Sequence, residues 1–504
     1  MNQQEQFISI INEGYTCKGE NLLLGVAMLD GNAIPDAKIT IPIKTLNRHG
    51  LIAGATGTGK TKTIQVLSEQ LSGLGIPVLM MDIKGDFSGI AMKGTEKSFI
   101  TERHTKIDIP FEPKAYPVEL LTLSEQEGVR LRATISEFGP VLFSRILDLN
   151  DTQSGVVSII FKFCDDQKMP LLDLKDIKKM IHYITAEGKA EIEAAYGKIS
   201  TATTGTILRK IIELEQQGGD VFFGETSFDV QDLMRMDEQG KGYINILRLT
   251  DIQDKPKLFS TFMLSLLAEI YYTMPEKGDA EKPELIIFID EAHLIFKEAS
   301  KVLLEQIETI VKLIRSKGVG IYFITQNPMD VPSGILAQLG LKIQHALRAF
   351  TANDRQAIKQ TADNYPSSDF YKTDEVLTSL GIGEAFVTAL SEKGTPTPLS
   401  ATMLRAPESR MDILSTEEIA SINASSKLVK KYAESIDRES AFELLAKRIS
   451  VEEEATIAQT NNSNEAKKPS AKADDGISKS VIKVVSSASF IRGAFGIIMK
   501  LLKK

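Results

Sequence analysis

Gly54-Ala55-Thr56-Gly57-Thr58-Gly59-Lys60-Thr61 fits the pattern G-x-x-x-x-G-K-[ST] without deviation. These residue types suit the binding of a nucleoside triphosphate. The glycines let the backbone fold into a nest of N–H groups around phosphate oxygens, and a helix starting at the end of the loop adds its positive N-terminal dipole. Lys60 is placed to reach the β- and γ-phosphates, and Thr61 to put its hydroxyl on Mg²⁺. Thr63, in the first turn of that helix, completes the candidate nucleotide-binding set.

Hydrolysis needs more: an acid for the metal and a group that orients water. Two apolar runs end in aspartate, Val78–Asp82 and Leu285–Asp290. Asp290 is the better candidate for the metal acid, because Glu291 follows it directly and supplies a carboxylate competent as a general base. Asp82, in Asp82-Ile83-Lys84-Gly85-Asp86, lies at the rim of the same site, couples that site to a neighbour, or forms a plain turn. Gln326 follows the apolar run Ile321–Ile324, where open α/β sheets bind ligands, and is placed to contact the γ-phosphate or its water. A structural hydrogen bond is the other reading of Gln326. The chain has no Asn-Lys-x-Asp base-reading motif and no protein-kinase signature.

The elements that must carry these residues are legible as a rhythm. Leu51-Ile52-Ala53 reads as a strand before the loop, and Ile64, Leu67 and Leu71 mark the buried face of the helix after it. Near-continuous apolar runs at 77–81, 285–289 and 320–324 suit parallel strands buried on both faces, and helical runs at 258–272 and 299–317 connect them. The expected fold is therefore α/β, a mostly parallel sheet in a phosphate-loop core assembled from 49–90 and 241–405. A short N-terminal β-element occupies 1–48, and 91–240 is a mainly helical insertion. Helices fill 406–450. Residues 451–480 have the polar, aromatic-free composition of a linker.

The wider composition excludes several classes. With 504 residues, 42% of them hydrophobic, the chain can bury a large core. Its net charge of −8 argues against a generally basic nucleic-acid coat, although local basic surface is a separate matter. Two cysteines, Cys17 and Cys164, form no disulfide framework or CxxC pair. The N-terminus lacks a secretory signal pattern, and no apolar run reaches the length of a membrane span, so the expected location is the cytoplasm.

The sequence resembles the bacterial HerA-helicase-like family, relatives of the HerA and FtsK DNA translocases. The resemblance is carried by Gly54–Thr61, the segment 82–86, Gly242–Leu247, Phe288-Ile289-Asp290-Glu291-Ala292-His293, 315–320, 325–328 and 344–350. It implies a RecA-like core, a hexameric ring, ATP and Mg²⁺ as ligands, and movement along double-stranded DNA. It also implies an arginine finger supplied by a neighbouring copy. Arg315 fits that role best, with Arg348 and Arg355 as further candidates. A nuclease or another protein is a further expected partner. Lys297, Lys301 and Lys312 are candidate contacts to DNA, or simply solvate a helix.

Residues 481–504 form a basic amphipathic pattern, with Val484, Ala488, Ile491, Phe495, Ile498 and Leu502 at helical spacing and no acid after Asp475. Such a segment suits peripheral contact with an anionic membrane, docking on a protein, or a tail. The leading functional expectation is a ring-forming ATPase that translocates DNA. The alternatives are an ATPase acting on a protein partner, as in secretion-type motors, and a nucleotide-gated scaffold with slow hydrolysis.

Overall fold

Strands with near-continuous apolar residues can survive only where both sheet faces are covered. Such strands form the centre of this protein: Val-Leu-Met-Met-Asp at 78–82 and Leu-Ile-Ile-Phe-Ile at 285–289 are buried at every position. The computed structural model describes residues 2–451, apart from 279, 298–300, 435 and 437. The calls on 451–480 and 481–504 otherwise lie outside the described residues, which reach only the first residue of that stretch.

Among the described residues, twelve strands form one sheet. In chain order they are β1 (Asn21–Leu29), β2 (Asn32–Pro42), β3 (Gly50–Ala53), β4 (Val78–Asp82), β5 (Val118–Thr122) and β6 (Val129–Arg130). They continue as β7 (Ile244–Arg248), β8 (Leu285–Ile289), β9 (Val319–Thr325), β10 (Leu341–His345), β11 (Glu384–Thr388) and β12 (Ser400–Leu404). The spatial order is β2-β1-β12-β11-β10-β3-β9-β8-β4-β7-β5-β6. Pairing from β10 to β6 is parallel, and pairing from β2 to β10 is antiparallel. The sheet is thus α/β and mostly parallel at its functional end.

Two registers set up the site. Met81 of β4 pairs with Ile289 of β8, so Asp82 and Asp290 leave the sheet side by side. Ala53 of β3 pairs with Thr325 of β9, so the phosphate loop and Gln326 leave it together. β9 separates the loop-bearing strand from the acid-bearing strand. All four emerge at the C-terminal edge, where parallel α/β sheets carry their ligands.

The chain divides into two units. The first is Met1–Leu131 with Phe228–Ala433, and it contains the whole sheet. Helix α1 (Gln3–Tyr15), opened by a capping box from Asn2 and Glu5, precedes the β1–β2 hairpin. Tyr15 anchors it by donating to Val387 O (2.8 Å) and Pro398 O (2.7 Å). Strands β5 and β6 fall inside the 91–240 stretch whose periodicity is mainly helical; they are short, and the helix Ser98–Ile107 precedes them.

The second unit is Arg132–Ser227 with the described residues from Glu434 onward. It is helical: Ile135–Ile146, Asp151–Asp166, Leu174–Thr185, Lys189–Tyr196 and Thr201–Leu214. Capping boxes open the first three, and edge-to-face contacts of Phe138 with Phe222 and Phe223 mark its core. Among the described residues, no helix is long and apolar enough to cross a membrane.

Candidate nucleotide site

The phosphate loop runs from β3 into helix α2 (Lys60–Gly73). Its backbone uses left-handed conformations that favour glycine: φ is 149° at Gly54, 77° at Gly57 and 111° at Gly59. Gly54 is needed twice over, because a Cβ there would sit 2.5 Å from His345 Cβ. The loop is stitched to the strands beside it: Gly54 N donates to Thr325 O (3.3 Å) and Ala55 N to Ala346 O (2.9 Å). Within it, Thr58 donates to Ala55 O (2.7 Å). Thr63 lies below the loop at 3.0 Å from His345 Nε2. Burial pushes His345 down to about 3, so it sits there as neutral imidazole.

Lys60 is buried and donates to Gly54 O (2.7 Å) and Ala55 O (3.2 Å). Its pKa is lowered, first by burial and then by the charge of Lys84, against the pull of Glu291, Asp290 and Asp86. Thr61 donates to Asp86 Oδ2 (3.1 Å).

The opposite wall comes from the ends of β4, β8 and β9. Asp290 and Glu291 are each 5% exposed. Burial pushes Asp290 up to about 7, with the Glu291 charge adding to the rise and Lys84 opposing it. Glu291 behaves oppositely. Burial alone would raise it, but Lys84, His293 and Gln326 together hold it below the usual carboxylate range. Lys84 pairs with Glu291 Oε1, and His293 Nδ1 lies 3.1 Å from Oε2. Glu291 also has a left-handed φ of 46°, an uncommon conformation for a non-glycine residue that clusters at functional sites.

Asp82 does not line the site; it builds part of it. Its Oδ1 accepts from Gly85 N (2.6 Å) and Asp86 N (3.2 Å), and its Oδ2 from Phe87 N (3.3 Å). That turn presents Lys84 to Glu291 and Asp86 to Thr61. Both side chains were missed as individual candidates in the sequence; the signal available was a charged turn directly after a second buried strand ending in aspartate. The segment after β12 was also missed. It is bonded along α2: Glu69 accepts from Glu408 N (2.8 Å) and Ser409 N (2.9 Å), while Lys62 donates to Met411 O (2.6 Å).

The donor set around Thr61 suits a hard divalent cation, which prefers hydroxyl, carboxylate and water oxygens. Asp290 is a buried carboxylate, and Asp86 Oδ1 is buried with no hydrogen-bond partner among the described residues. Among those residues no cluster of three or more His, Cys, Asp or Glu could hold a metal by itself.

The three arginines are placed differently. Arg315 follows the helix Lys301–Ile314 and precedes β9, so it lies at the N-terminal edge of the sheet, about 20 Å along the strand from the phosphate loop. Arg348 and Arg355 are exposed beyond β10, on the loop's own side, and Arg348 donates to Thr378 O (3.2 Å). Lys312 pairs with Glu308 at 2.6 Å; the side chains of Lys297 and Lys301 lie outside the described residues.

A phosphate loop on one strand, an acidic pair on the strand after next, and a polar amide at the end of the strand between them define a RecA-like P-loop core. The chain belongs to the HerA-like helicase family: the family described as Helicase HerA-like C-terminal matches residues 28–493. It is similar to the DNA double-strand break repair helicase HerA of Saccharolobus solfataricus, 23% identical over 358 residues, covering 70% of this chain and 64% of that protein. It is also similar to a probable helicase of Methanocaldococcus jannaschii, 25% identical and covering 68% of this chain and 60% of that one. The match thus spans under two thirds of the length of these relatives. Among solved structures, the fold is similar to the bacterial conjugative coupling protein TrwBΔN70 in complex with sulphate, with a TM-score of 0.51, 13% identity, and 81% and 94% of the two chains covered. It is also similar to plasmid coupling protein TrwB in complex with ADP and Mg²⁺, with a TM-score of 0.50, 13% identity, and 80% and 97% covered.

Proposed function

We propose that this chain is a ring-forming ATPase that uses ATP and Mg²⁺ to move along double-stranded DNA. The observation that carries the reading is Glu291, a buried carboxylate in a left-handed conformation, next to Asp290 and across from the phosphate loop. In this reading the loop amides and Lys60 clasp the triphosphate. Glu291 takes the proton of the attacking water while Gln326 orients that water or senses the γ-phosphate. Thr61 and Asp290 would hold Mg²⁺, which would supply charge neutralisation for the phosphates.

The HerA and probable-helicase relatives support the DNA part, and the TrwB complex with ADP and Mg²⁺ supports the ligand part. Arg315 lies too far from its own loop to serve it, which suits a finger offered to a neighbouring copy within a hexamer. Arg348 and Arg355 remain the alternatives on the loop side. The remaining proposals are a cytoplasmic location, a nuclease or other protein partner, and membrane contact through 481–504.

The test is the ATPase rate with and without duplex DNA, alongside mass with and without nucleotide. Duplex stimulation and a nucleotide-dependent ring are expected. ATP turnover indifferent to duplex, with a tight protein partner, supports the secretion-type motor instead. Binding with negligible turnover supports the scaffold.

A further inference from the structure

Lys84 stands on a fixed root with a partly exposed side chain. Asp82 fixes the turn through three backbone N–H groups, and Gln253 Nε2 donates to Ile83 O (2.7 Å) from the chain after β7. The Lys84 side chain is nonetheless 40% exposed. Its ammonium pairs with Glu291, faces Asp290 and Asp86, and is near enough to Lys60 for the two cations to repel.

A carboxylate oxygen held by an ammonium is occupied and is not offered to a water. A terminal phosphate competes for the same lysine with more negative charge and more acceptor oxygens than one carboxylate offers. We propose that Lys84 is shared between Glu291 and the γ-phosphate, so that ATP draws it off the carboxylate and releases Glu291 to accept a proton from water, whereas ADP leaves the pair intact. Lys84 is then a positioning residue for Glu291 and a discriminator of the terminal phosphate. This rests on Glu291 being the base of the hydrolysis proposed above. The other groups facing Glu291 are Asp290 and His293 on its own segment, Gln326 just after β9, and Lys60 across the site; none of them is required to move.

The full chain carrying Lys84→Ala or Lys84→Arg tests this. Mg·ATP and Mg·ADP affinities are read by displacement of a fluorescent nucleotide. Lys84→Ala is expected to weaken ATP about tenfold, the scale of one charge-assisted contact, and ADP by less than about twofold. Lys84→Arg restores the ATP preference.

Equal weakening of ATP and ADP in Lys84→Ala overturns the proposal. Failure of the base assignment is recognised separately: Glu291→Gln would then turn over ATP at the unaltered rate, while the ATP-against-ADP comparison still decides whether Lys84 reads the terminal phosphate.

Discussion

One wall of the nucleotide site is a single stretch of chain, from Gly50 through the loop into α2; the other is gathered from the ends of β4, β8 and β9. The first wall is specified by local backbone: positive φ at three glycines and a helix start. The second exists only because sheet registers bring Asp82 and Asp290 side by side. The walls also differ electrostatically. The loop wall offers amides and a buried Lys60, while the acid wall packs Asp290, Glu291 and Asp86 around Lys84. Local geometry can bind a phosphate, but reaction chemistry requires the long-range wall.

That contrast can be broken most forcefully by separating binding from turnover. Glu291→Gln is expected to cut ATP turnover by about 10²–10⁴-fold with ATP binding retained, read by steady-state kinetics beside equilibrium titration. Lys60→Ala should instead lose binding and turnover together. If both variants lost binding equally, the two walls would not have separate roles.

The support under the acid wall comes next. Asp82→Ala leaves three backbone donors without their acceptor, and is expected to cost about 2–3 kcal/mol in denaturant unfolding and to reduce turnover through displaced Lys84 and Asp86. A stable variant with reduced turnover would show that Asp82 acts on the nucleotide directly.

A pH measurement separates the two carboxylates. Asp290, raised to about 7 by burial, is protonated below that pH and cannot then hold a cation. Mg²⁺-dependent nucleotide affinity should therefore fall about tenfold per unit as pH drops below 7, with a proton released on binding at neutral pH. Affinity flat from pH 8 to 5 would mean that Asp290 does not take part. The smallest expected effect lies in the loop. Gly57→Ala meets no neighbour and bears only left-handed strain, about 1–2 kcal/mol, whereas Gly54→Ala must also displace His345; thermal unfolding of the pair ranks them.

The same contrast explains what could be read from the sequence. The loop's contiguous motif gave away its residues, and the apolar runs ending in Asp82 and Asp290 gave away the parallel sheet. The parallel pairing from β10 through β4 matches that expectation. Lys84 and Asp86 were hidden because their importance depends on which strand lies beside β4, a tertiary fact. Helix α1 was hidden by a polar N-terminal sequence whose Phe7, Ile11 and Tyr15 spacing marks a single buried stripe. The bonds from α2 to Glu408, Ser409 and Met411 have no motif at all, since they are mostly made to backbone.

The central claim is that the amides around Lys60 and the carboxylates of Asp290 and Glu291 serve one triphosphate. The most direct measurement is a crystal structure with Mg²⁺, ADP and beryllium fluoride. The account predicts the phosphates at the N-terminus of α2, the cation between Thr61 and Asp290, and Glu291 within about 3 Å of a water in line with the fluoride. Phosphates seated in the loop with the cation and its water away from both carboxylates would contradict it.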